Sequence, residues 1–171
     1  VEFQLQFPEE NLDDLYSLTV DLEGESMPHS VLTFLSQVDE GLYNTGGFAF
    51  HHNAIHIVFG SPISNHLNKN ELETWTSFET SGLSRLIFQE YSPEVPHVEY
   101  TIGFSERGPN IYFNTRDNTQ NHGSIRDPCF GKVEKGREII DRMHAASGEL
   151  EEDDWKELQP GFVAVRSIAI L

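Results

Sequence analysis

The chain has 171 residues, with 28 Asp plus Glu against 11 Lys plus Arg and a formal net charge of −17. That length suits one domain around one core, and 37% hydrophobic with 23% charged residues is the composition of a folded globular chain. The acidity repels phosphate backbones and anionic lipid, which argues against nucleic acid as a partner, and no apolar run is long enough to insert in a membrane.

The chain opens on Val1 without a secretory leader pattern, which fits a processed piece or a domain of a larger chain. Val1, Phe3, Leu5 and Phe7 alternate with polar residues, the period of a half-buried strand. After a polar turn, Tyr16, Leu18, Val20 and Leu22 repeat that period, and the two runs read as an antiparallel hairpin. The period then changes. Val31, Phe34, Leu35 and Val38 fall at i, i+3, i+4 and i+7, with Pro28 in the first turn and Gly41 past the end, which predicts a helix. Short strands follow at Phe48–His52 and Ile55–Phe59, separated by Asn53-Ala54. Residues 61–82 are polar and read as a long connection with little regular structure, bordering a site.

Further strands are expected at Leu83–Gln89, Tyr100–Phe104, Ile111–Asn114 and Phe130–Val133. Cys129 is alone, so no intrachain disulfide can form and cysteine usage assigns no compartment. Before a strand it reads as a buried apolar thiol. Ile139, Ile140 and Met143 mark a second helix over Arg137–His144, Glu149–Asp154 is a solvated acidic loop, and Phe162–Leu171 is a β-branched closing strand. The expectation is a mainly β fold, a closed eight-stranded antiparallel β-barrel capped by two α-helices, forming one domain over residues 1–171. A barrel of that size is filled by its own side chains, so a site lies outside it or at its rim.

Three runs carry a family resemblance. MPHSVLTFLSQVDEGLYNTGGFAFHHNAIHIVFGSP resembles the cyclophilin segment that runs from a helix into a Phe-His-Arg strand and a Gln-Gly-Gly. YTIGFSERGPNIYFNT resembles the family's Ala-Asn, Gly-Pro-Asn and Phe-Phe stretch. DPCFGKVEKGREIIDRM resembles its strand, glycine and second helix. The order is right and the resemblance covers nearly the whole chain. It implies the cyclophilin barrel and a peptidyl-prolyl cis-trans isomerase site that binds extended, proline-containing peptide or protein segments without cofactor or metal.

Carried over residue by residue, Phe50 and His51 match, and His52 stands where the family has its arginine. Ile57 and Val58 stand for a Phe-Met pair, Ser105 and Glu106 for the Ala-Asn that meets substrate backbone, and Phe113 for the floor of the proline pocket. The family's Trp-Leu and downstream histidine fall at or near His122-Gly123 and Asp127. Read from residue type alone, Phe50, Ile57, Val58 and Phe113 serve equally as strand residues facing the core.

Rotation about a peptide bond meets a barrier of about 18–20 kcal/mol, and catalysis means holding the twisted imide better than either planar form. The family's arginine donates to the proline nitrogen as conjugation breaks. Arg is always charged and offers a rigid fork; a neutral imidazole offers one donor. Losing one such bond costs about 2.7–4 kcal/mol. His52 as the catalytic residue therefore implies weak or lost isomerase activity, with a modest activity near pH 6 as the sharper form. The alternatives are an active isomerase with a rearranged site using His52 or Arg107, and a structural domain of a larger protein or complex. His51, His52, His56 and His66 match no zinc spacing, and no nucleophile-elbow pattern supports a hydrolase.

Overall fold

The computed structural model describes residues 1–11, 13–44, 46–121, 127–151, 153–159 and 161–171. The strands are β1 (Glu2–Gln6), β2 (Tyr16–Leu22), β3 (Phe48–Ala54), β4 (Ile57–Pro62), β5 (Thr101–Phe104), β6 (Ile111–Asn114), β7 (Cys129–Lys135), β8 (Lys156–Glu157) and β9 (Val163–Ala169). The helices are α1 (Pro28–Asp39), α2 (Glu71–Thr80) and α3 (Arg137–Ala145).

The strands run β4-β6-β5-β7-β2-β1-β9-β3, and β3 pairs back onto β4, so eight antiparallel strands close a ring. β8 adds two residues to β3, with Glu157 opposite His52. Closure removes the sheet edges that an open barrel would expose. The alternation expected from sequence fills the inside: Phe3, Leu5, Leu18, Phe50, Phe113 and Val165 are all fully buried. Phe113 lies 5.8 Å from Phe3 and 5.3 Å from Phe50 between ring centroids. From α1, Phe34 reaches 5.1 Å from Phe130. α3 buries Ile139, Ile140 and Met143. The first N–H groups of α1 have no side-chain cap of their own. Glu90 supplies one from afar, its carboxylate accepting from His29 N (3.3 Å) and Ser30 N (2.9 Å).

Three expectations are corrected. A third helix, α2, lies inside the segment read as a bare connection. Asn70 caps it: its Oδ1 accepts from Glu73 N at 3.1 Å, and its Nδ2 donates to the Glu73 carboxylate at 2.9 Å. The helix buries Thr74 and Phe78 and leaves Leu72 76% exposed, so its apolar stripe is too thin to give a clear 3.6-residue period. Leu83–Gln89 forms no strand: Leu86 is buried but Ile87 is 83% exposed, and no ladder forms on that alternation. The β3–β4 turn sits at Ile55-His56, two residues later than expected, because β3 keeps pairing through Ala54↔Ile57.

Candidate functional site

Between Phe50 and His52 the β3–β4 register slips by one: Phe50 faces Gly60 and His52 faces Phe59. His51 is the extra residue of this bulge. Bulges re-aim side chains, and here both imidazoles lie outside the core cluster. His51 packs edge-on against Phe59 and Phe162, each 5.6 Å away. Its Nε2 lies 2.8 Å from Ser61 Oγ, and its Nδ1 meets Nδ1 of His52. Two facing Nδ1 atoms need one proton between them, so the tautomers of the pair are linked. Burial first, and the His52 charge second, push the His51 imidazole down to about 4.

His52 stacks under the indole of Trp155, with centroids 5.4 Å apart and planes at 15°. Trp155 meets Phe59 at 5.3 Å and 62°. The indole arrives from the acidic segment between α3 and β8, held there by the pairing of Lys156 with Asn53.

Beside this cluster the outer face of the barrel carries a cleft of about 320 Å³. Ile57, Phe59 and Trp155 supply its larger apolar surfaces, with His56, Asn118 and Ser105 among its polar ones. None of its described lining residues is a lysine or arginine. A relay of amides fixes one rim: Asn118 Nδ2 donates to Asn114 Oδ1 (3.0 Å), and Asn114 Nδ2 donates to Thr101 Oγ1 (2.9 Å). Beneath, Tyr112 lies over Gly103, where an added Cβ would come 2.9 Å from Tyr112 Oη. Burial, then the Asp127 and Cys129 charges, raises the Tyr112 phenol well above its ordinary value.

A second, polar cavity of about 600 Å³ adjoins through Ser105, which lines both. Trp75 and Glu79 of α2 form one wall, and Arg107 with Pro109 the other. Its loop is tightly held. Ser105 N donates to Asn110 O (2.9 Å), Gly108 N to Ser105 O (2.9 Å), and Glu106 N to Asp127 Oδ1 (3.0 Å). Glu106 sits at φ 54.

The structure thus divides the residues singled out from sequence. Ile57 and Ser105 line the apolar cleft, and Glu106 lines the polar cavity. His52 lies behind Trp155. Phe50, Val58 and Phe113 are fully buried in the barrel core and offer no outer surface. The reason is parity. Neighbours on a strand face opposite ways, so Ile57 and Val58 cannot share a face, and in β6 the outward aromatic is Tyr112. His122 lies outside the described residues. Phe59, Asn118 and Trp155 were missed. The alternation of Ile57 with Phe59 was a usable signal for the first; a large aromatic within an acidic run was one for Trp155.

Comparison with known proteins agrees with this architecture. The family model for cyclophilin type peptidyl-prolyl cis-trans isomerase/CLD matches residues 10–166. No curated protein sequence matches significantly. Among solved structures, a Cryptosporidium parvum cyclophilin type peptidyl-prolyl cis-trans isomerase in the presence of the dipeptide Ala-Pro is 15% identical, with a TM-score of 0.65 over 100% of this chain and 99% of that one. A second structure of the same Cryptosporidium parvum isomerase is 16% identical, with a TM-score of 0.62 over 98% of this chain and 96% of that one. At such identities the likeness is one of fold.

Proposed function

Because the chain belongs to the cyclophilin-type peptidyl-prolyl cis-trans isomerase family, we propose that residues 1–171 act as one cyclophilin-like unit that binds extended, proline-containing peptide or protein segments and isomerises the prolyl bond weakly or not at all. The observation that carries this reading is the cleft on Ile57, Phe59 and Trp155, whose described lining includes no lysine or arginine. An apolar cleft with a few polar groups at its rim suits a proline ring. Ser105 links it to the polar cavity, which supports a segment laid in extended form across both. The Cryptosporidium parvum isomerase of the same fold, whose structure was solved in the presence of Ala-Pro, fits the same ligand class.

Weak turnover follows from what faces the imide. A twisted imide nitrogen gains most from a fixed cationic donor in a site shielded from water. His52 gives one ring nitrogen to His51 and its flat face to Trp155. Arg107 lines the neighbouring cavity instead. The test is two-dimensional exchange NMR on an Ala-Pro peptide, with binding followed through amide shifts. Binding with unaltered cis–trans exchange is the expected result. Rapid exchange at pH 7 that is lost in His52→Ala would overturn it in favour of a working isomerase. Neither binding nor exchange would point to a structural role in a larger assembly.

A further inference from the structure

Trp155 stands at the junction of two properties that recognition of a peptide can combine. Its indole is half exposed and edges the cleft, while His52 covers one face by parallel stacking and Phe59 meets it edge-on. A tryptophan held in place by neighbours and still open on one side is the arrangement found where one side chain dominates binding. The indole face is also the best aromatic surface for a cation.

The segment that delivers it is strongly acidic. Residues 149–157 carry Glu149, Glu151, Glu152, Asp153, Asp154 and Glu157 against Lys156 alone. That lysine is already engaged, its Nζ 2.9 Å from Asp154 Oδ2 and 2.9 Å from Glu149 O. Ile55 belongs both to the apolar cleft and to a hollow lined by Glu149, Glu151 and Asp154, so the hollow that holds these carboxylates adjoins the cleft. Arg116 and His144 also line that hollow, yet the segment's own charge, and the chain's net −17, remain negative. Complementary charge of this kind steers encounter and rejects like-charged partners.

We propose that Trp155 and its acidic segment make the cleft selective for basic segments, in which a lysine or arginine neighbours the residue held on Ile57 and Phe59. This rests on the peptide-binding reading above and adds the substrate class to it. Trp155 is then a specificity-determining residue, contributing an aromatic face to the cation, while Ile57 and Phe59 hold the proline.

The test uses two peptides, acetyl-Lys-Ala-Pro-Lys-amide and acetyl-Glu-Ala-Pro-Glu-amide, titrated into the 171-residue protein. The readout is the indole N–H signal of Trp155, told apart from Trp75 by a Trp75→Phe variant. The lysyl peptide is expected to bind at least tenfold more tightly, with an affinity that falls as salt rises. Trp155→Ala should lose at least tenfold for the lysyl peptide and shrink the ratio between the two. Asp153→Lys, at an exposed position, should shrink the ratio without removing the indole, which keeps the test open if Trp155→Ala fails to fold. Equal affinities for the two peptides, or a ratio unmoved by both variants, would overturn the selectivity while leaving peptide binding intact. Binding of neither peptide would sink both readings together.

Discussion

The two faces of the β3–β4–β6 wall use aromatic residues to opposite ends. Inside, Phe50 and Phe113 meet other hydrocarbon rings and are sealed from water. Outside, Phe59 and Trp155 meet two imidazoles and border a cleft. The inner set can only be loosened by substitution, whereas the outer set can be retuned. One pleated wall therefore divides the core from the candidate site.

The largest expected effect lies inside. Phe113→Ala should lower the free energy of unfolding by about 3–5 kcal/mol, the usual cost of an emptied aromatic site, read from urea melts. Trp155→Ala, half exposed, should cost no more than about 1 kcal/mol on the same melts. Equal losses would erase the division between the faces.

Next comes the imidazole at the boundary. His51 is held to about 4 in the fold against about 6.5 when unfolded. The unfolded chain binds the extra proton first, so the stability is complete above pH 6.5 and is lost as pH falls toward 4. The loss should reach roughly 3 kcal/mol. His51→Gln should flatten that acid limb in denaturation series between pH 7 and 4; an unchanged limb would place the sensitivity elsewhere.

Gly60 probes the wall itself. An added Cβ would lie 2.9 Å from Phe48 Cε1 and from Phe50 Cδ1, so Gly60→Ala should cost about 1–3 kcal/mol by overpacking. The smallest effect is expected at α2, where Asn70→Ala should remove about 1 kcal/mol, seen as faster amide exchange around Glu73 or a small shift of the urea midpoint.

The barrel was legible in the sequence because period-2 alternation marks β1 and β2 and a β-branched run marks β9. α2 was less so: with Leu72 exposed and Thr74 buried, its stripe mixes polar and apolar residues, and the Asn70-to-Glu73 cap was the better clue. The candidate site was legible in its neighbourhood but not in its parity. The family resemblance brought out Ile57, Val58 and Phe113 together, yet Val58 and Phe113 turn inward while Ile57 faces the cleft. A motif resemblance matches residues along the chain and does not report which side of the sheet each one takes. Trp155 comes from a segment some hundred residues beyond β3, and only the fold brings the two together.

The extra residue in β3 carries a lesson of its own. A one-residue insertion in a regular ladder would turn every following side chain over and wreck the packing. Absorbed as a local kink, it leaves Phe50 and Val58 at their posts while a second nitrogen heterocycle joins the exterior. The hairpin works as a splice point, where the surface can be rewritten letter by letter without disturbing the interior it encloses.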